Sequence, residues 1–167
     1  MTFASHAHLY ALSMGSNRPI SARLSPRAIL SAAVDALAEQ GGTVIALAPT
    51  IITPPLGPSA RRFANNALVL ASPLPPPALL GLIHGIEARF GRRRHRRWGA
   101  RTLDIDILLW SGGRKNGRRL TIPHPAFATR AFVLAPLGSI APDWRDPVSG
   151  LSVRQLLHRL QKPHGKT

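Results

Sequence analysis

The sequence predicts an α+β domain, a ferredoxin-like (split βαβ) antiparallel sheet with helices packed on it. Three observations predict it. Segments with strand-like and helix-like apolar patterns follow one another in the order β-α-β-β-α-β. Glycine and proline punctuate the junctions between them. The last strand of the series, from Leu103, is the most apolar of the chain, yet it contains Asp104 and Asp106.

His8 to Met14 reads as the first strand, closed by a Gly15-Ser16-Asn17 turn. Ser25-Pro26 has the form of a helix N-cap followed by proline at the first helical position. Ile29, Ala33, Ala36 and Leu37 then form a helical stripe that Gly41-Gly42 ends. Thr43 to Ala48 is the second strand. Thr53-Pro54-Pro55-Leu56-Gly57-Pro58 is expected to be a stiff loop, because its three prolines fix φ. Phe63 to Ala71 is the third strand, with Asn65 and Asn66 near its start. After Pro75-Pro76-Pro77, the spacing of Leu79, Ile83, Ile86 and Phe90 predicts a second helix with His84 and Glu87 on another of its faces.

Arg92-Arg93-Arg94-His95-Arg96-Arg97-Trp98 is too like-charged for a stable helix and reads as a loop that could close over phosphates. It feeds into the aspartate strand. Successive strand side chains alternate in direction, so Asp104 and Asp106 share one face while Ile105, Ile107 and Leu109 are expected on the other. Beyond Trp110 come a polar turn to Arg119, an extended Leu120-to-Pro125 segment, an apolar stretch from Phe132 to Leu137 and a short amphipathic helix from Leu151 to Leu160. The helices are expected on one face of the sheet, which leaves the other for ligands.

A chain of 167 residues, 44% of them hydrophobic, is most simply one domain, here residues 1–160, with a basic tail over 161–167. No cysteine is present, which excludes disulfides, thiolate metal sites and a cysteine nucleophile. The N-terminal residues lack the basic-then-apolar pattern of a signal peptide. The longest apolar stretch, Val44 to Ile52, is broken by Pro49 and too short to cross a bilayer. A cytoplasmic protein with no membrane partner is expected. Lys plus Arg number 22 against seven Asp plus Glu, a net charge of +15 that argues for anionic partners without naming one. Much of it is Arg beside abundant Ala, Pro and Gly, the mark of a GC-rich coding bias.

Against so few acids, two carboxylates placed two residues apart on a largely buried strand are conspicuous. Like charges there repel and lose solvation. A divalent cation removes the conflict, and Mg²⁺ accepts one or two carboxylates completed by water and phosphate oxygens. The arginines upstream suit the other side of a metal–phosphate complex. The competing reading is a structural network in which the two acids pair with those arginines.

Five blocks resemble, in order, those of the 6-hydroxymethyl-7,8-dihydropterin pyrophosphokinases of folate biosynthesis. They are Gly15-Ser16-Asn17, Thr53 to Pro58, Phe63-Ala64-Asn65, Arg97 to Leu109, and Leu120 to Pro125 with Arg130-Ala131-Phe132. The resemblance implies transfer of pyrophosphate from ATP to the pterin's hydroxymethyl group, with release of AMP. It implies two Mg²⁺ ions, with the ATP, on Asp104 and Asp106. It places Arg92, Arg101, Arg119, His124 and Arg130 on or near the triphosphate, and His84, Glu87, Trp98, Ile107 and Thr121 on the nucleotide side. For the pterin it implies Phe63 and Phe132 on either side of the ring, Asn65 on its edge, and the segment Thr53, Pro54 and Leu56 completing the pocket. Arg92, Arg101, Asp104 and Asp106 form the catalytic group. His84 and Ala100 depart from the family's usual residues. A monomer that binds ATP and the pterin but no nucleic acid is expected. The alternatives are a family member that binds without turnover and a basic RNA-binding module. The second would want exposed aromatics on the central strands, where this chain has acids.

Overall fold

The computed structural model describes residues 7–54, 61–91 and 102–163. Five strands form one sheet: β1 (His8–Ser16), β2 (Thr43–Leu47), β3 (Ile51–Thr53), β4 (Phe63–Ser72) and β5 (Asp104–Trp110). The order is β2-β4-β1-β5, with β3 also on β4, and all the pairings are antiparallel. Setting β3 aside, this is the split βαβ order that the alternation of elements predicts. The helices are α1 (Pro26–Glu39), α2 (Pro76–Arg89), α3 (Ala131–Ile140) and α4 (Val153–Gln161). Gln161, which the sequence assigns to the tail, is thus the last residue of α4.

The helix starts follow local chemistry. Ser25 Oγ accepts from the Ala28 amide, and Pro26 fills the first position of α1. Ile29, Leu30, Ala33, Ala36 and Leu37 bury its inner stripe. At α4 the Ser152 hydroxyl and the Gln155 side chain form a reciprocal capping box.

Two cores lie on the two faces of the sheet. On the first, Tyr10, Leu12, Met14, Leu68, Leu70, Ile105 and Ile107 meet the stripes of α1 and α2. On the second, Ala11, Ala67, Leu108 and Leu109 meet Val133, Leu134 and Leu137 of α3 and Val153 and Leu156 of α4. The expectation that helices cover only one face is therefore corrected. The stretch from Phe132 forms a helix of its own, and its apolar side needs a second surface to bury against. That cover takes one half of the second face. The other half carries Gly15, Asn65 and Asp104.

Three further expectations change. Gly15 and Ser16 are not a turn: they extend β1, with Gly15 paired to Asn65 and Asp104, and Ser16 to Ala64. Thr53 is the last residue of a strand, not the start of a loop, because β3 pairs along the first residues of β4. Finally, the β1–β5 register shifts between Ala11 and Leu12, whose partners are Leu109 and Ile107. Leu108 is the extra residue, so Leu109 turns to the second face, away from Ile105 and Ile107.

Candidate active site

β5 is an edge strand, and the two spaces of interest meet at it. Asp104 and Asp106 alternate with buried Ile105 and Ile107, both carboxylates half-exposed on the second face. Directly opposed residues in an antiparallel pair share a face, so three residues line up across three strands: Asp104 on β5, Gly15 on β1, Asn65 on β4. At the spacing of sheet strands, the Asn65 and Asp104 backbones stand about 10 Å apart. The residue between them in the ladder is Gly15. A Cβ on Gly15 would come within 3.1 Å of Asn65 Oδ1 and 4.0 Å of the Phe63 ring.

The Asn65 end is braced. Asn65 is buried, and its Nδ2 donates to Thr53 Oγ1 at 2.7 Å. Thr53 pairs with Phe63, which by strand parity shares the face of Asn65. Phe132 begins α3 on this same face and is partly buried against the second core. The Arg130 guanidinium sits 5.9 Å from the centre of the Phe132 ring, within cation–π range.

On the outer side of β5 a cleft of about 310 Å³ is lined by Leu80, His84 and Glu87 of α2, by Ile105, Asp106 and Ile107, and by Arg118, Arg119, Leu120, Thr121, His124 and Pro125. Its walls are apolar on the strand side and cationic at Arg118 and Arg119. Glu87 is 2% exposed, and its Oε1 accepts from the Ile105 amide at 2.9 Å. Alternation then turns the Ile107 backbone outward as well, toward the cleft. The His124 amide donates to the Leu108 carbonyl at 3.0 Å. His124 Nδ1 accepts from the Ala126 amide at 3.1 Å, which puts the proton of the neutral ring on Nε2. Nε2 lies 3.9 Å from Asp106 Oδ1.

Of the residues expected at the site, the cleft gathers Asp106, His84, Glu87, Ile107, Arg119, Thr121 and His124. Asp104, Asn65, Phe63 and Thr53 lie along the Gly15 side. Arg130, expected on or near the triphosphate, stands at the Phe132 ring outside the cleft lining. Arg92, Trp98, Arg101 and Leu56 lie outside the described residues, and Pro54 directly follows β3. Gly15 as a side-chain-free floor and Arg118 as a cleft residue were not expected. The first becomes visible only once the register sets Gly15 beside Asn65; the second adjoins Arg119 in sequence.

The two carboxylates fit a hard divalent cation, since they offer oxygen ligands on one face of β5, Asp104 across from Gly15 and Asp106 across from Ser13. Among the described residues no cluster of three or more His, Cys, Asp or Glu forms a complete protein cage. Water and phosphate oxygens are the partners Mg²⁺ accepts beside one or two carboxylates. No helix of the described residues is long and apolar enough to cross a membrane.

A family model described as 7,8-dihydro-6-hydroxymethylpterin-pyrophosphokinase matches residues 11–142. Curated relatives named 2-amino-4-hydroxy-6-hydroxymethyldihydropteridine pyrophosphokinase include one from Methylorubrum extorquens, 42% identical over 80% of this chain and 84% of its own. Another, from Pseudomonas aeruginosa, is 44% identical over 73% and 76%. A third, from Synechocystis, is 44% identical over 62% of this chain, and the match spans about half (53%) of that relative's length. Among solved structures, wild-type Plasmodium falciparum HPPK-DHPS with pteroate is similar in fold, with a TM-score of 0.72 over 92% of this chain and 44% of that one, at 14% identity.

Proposed function

The chain belongs to the 7,8-dihydro-6-hydroxymethylpterin-pyrophosphokinase family, and from that premise we propose that it transfers pyrophosphate from ATP to 6-hydroxymethyl-7,8-dihydropterin, releasing AMP. One observation carries the reading. The Asp104–Asp106 pair stands between a cleft fit for a nucleotide and a glycine-floored gap fit for a flat ring. Donor phosphate and acceptor alcohol would therefore meet at the carboxylates.

ATP occupies the cleft in this reading. Its base lies along the apolar wall and the outward backbone of Ile107, with Thr121, His84 and Glu87 around it. Trp98 joins this side by family resemblance. Arg119 and His124 reach the phosphates, joined by Arg92, Arg101 and Arg130. His124 presents an Nε2–H toward them in its neutral form, so it needs no added proton to donate a hydrogen bond. The pterin lies over Gly15, its edge read by Asn65 and its faces held by Phe63 and Phe132, with Thr53, Pro54 and Leu56 closing the pocket. Asp104 and Asp106 would hold Mg²⁺, two ions in this reading. Bound there, magnesium would supply positive charge to offset that of the triphosphate. The chain's own task is positioning, since attack by a primary alcohol on phosphorus needs no protein nucleophile. One chain supplies both substrate sites, which fits a monomer, and use of ATP fits the cytoplasm.

The test is AMP release that requires both Mg²⁺ and the reduced pterin. Asp104→Asn and Asp106→Asn should each lower it by at least about a hundredfold, the scale of losing preorganised charge at a transition state, with an unchanged Tm. Full activity in both variants would refute the metal assignment. Binding of both substrates by the wild-type protein without any AMP would mark a family member that does not turn over.

A further inference from the structure

Asn66 is buried at 4% exposure, and its Oδ1 has no hydrogen-bond partner. It pairs with Met14 and by parity faces the core of Leu12, Met14 and Leu68, where an amide with its carbonyl oxygen unpaired lowers stability. Stability alone does not account for it. The family block that this chain resembles ends one residue earlier, at Asn65.

Its one bond points to an answer. Asn66 Nδ2 donates to Thr50 Oγ1 at 3.5 Å, a long bond, at the residue just before β3. β3 is three residues long and, among the described residues, pairs with β4 alone. Pro49 and Pro54 flank this stretch and offer no amide to any ladder. The main chain thus holds β3 weakly, and side chains have to do the rest. Consecutive strand residues point to opposite faces, so Asn65 grips Thr53 on one face and Asn66 grips Thr50 on the other.

We propose that Asn66 is a positioning residue that, with Asn65, clamps β3 and so sets the Thr53–Pro54 wall of the pterin pocket. This rests on the pterin site proposed above. Asn66 touches no substrate. It acts through Thr50, and its effect should fall on one substrate only.

The experiment compares Asn66→Ala, Thr50→Val, Thr50→Ser and the Asn66→Ala/Thr50→Val double variant in the AMP-release assay, with amide hydrogen exchange across β3 measured in parallel. Asn66→Ala and Thr50→Val should each raise KM for the pterin about five- to twentyfold, with KM for ATP within about twofold. The double variant should be no worse than the poorer single, as expected for partners in one bond. Thr50→Ser keeps the hydroxyl and should stay near wild type. Exchange at Ile51–Thr53 should quicken about tenfold in Asn66→Ala. Equal rises in both KM values, an unchanged pterin KM, or unchanged β3 exchange would overturn the clamp. Should Asn66→Ala fail to fold, Thr50→Val decides by the same criteria. A wild-type protein without pterin-dependent AMP release would overturn the reaction reading instead, and the exchange arm would still judge the clamp.

Discussion

Replacing Gly15 by alanine puts one methyl group into the gap between Asn65 and Asp104. The new Cβ would lie 3.1 Å from Asn65 Oδ1 and 3.9 Å from the Ala64 carbonyl. Asn65 has to yield a few tenths of an ångström. Its 2.7 Å bond to Thr53 can lengthen by that much and survive. Gly15 lies inside a strand, where alanine gains roughly 0.5–1 kcal/mol over glycine, so the fold should be stable to within about 1 kcal/mol of wild type. The ligand fares worse. A ring lying against the Gly15 backbone is lifted off it and away from a displaced Asn65. Part of a stacking contact (about 1–3 kcal/mol) and of a hydrogen bond (about 1 kcal/mol) is forfeited. A loss of about 1.4–2.8 kcal/mol corresponds to a ten- to hundredfold rise in pterin KM. The cleft proposed for ATP does not include Gly15, so KM for ATP should hold within about twofold. Steady-state AMP release with each substrate varied in turn, beside a melting curve, reads all three quantities. An unchanged pterin KM at unchanged Tm would refute the floor assignment, and so would equal rises in both KM values.

Two other outcomes follow from buried polar groups. Burial pushes the Tyr10 hydroxyl up to about 12 from its ordinary 10, and it donates to the Leu74 carbonyl at 2.7 Å. The neutral form is the one the fold favours, so its stabilisation is complete below pH 10 and fades as pH rises toward 12. Chemical denaturation should show that decline in wild type. Tyr10→Phe should show a smaller decline, beginning about 1 kcal/mol less stable at neutral pH; the same decline in both proteins would contradict it. Glu87→Ala leaves the Ile105 amide without its acceptor and should cost about 1–3 kcal/mol in denaturant titrations. It should also raise KM for ATP more than KM for the pterin. Glu87→Gln keeps an acceptor oxygen and should recover most of the stability. Equal stability of Glu87→Ala and wild type would show that the strand edge does not depend on this contact.

Much of this was legible in the chain because local chemistry decided it. Ser25-Pro26 begins a helix by its own hydrogen bond, and the stripe Leu79, Ile83 and Ile86 is buried as its period demands. The two aspartates stand on the edge strand that their apolar neighbours define. What stayed hidden depended on partners distant in sequence. Gly15-Ser16-Asn17 has turn composition, yet β4 holds its first two residues in a ladder and β5 pairs with Gly15 from the other side. Ile51–Thr53 is too short and too close to prolines to announce a strand. α3 contains Pro136 and Gly138, which its buried side overrides. The cleft resisted for the same reason: its lining comes from α2, β5 and the segment after Arg118, and only the β5 edge brings them together.

The misfit at Leu108 has an outcome of its own. Ile105 sends its amide away from β1, so strict alternation would aim the Leu108 carbonyl inward at the ladder. Slipping one residue out of step releases that oxygen to the opposite side, and the His124 main chain hooks onto it. An apparent flaw in the weave is thus a peg from which an imidazole hangs within reach of Asp106. Anyone tidying this strand into a flawless zigzag would drop the histidine.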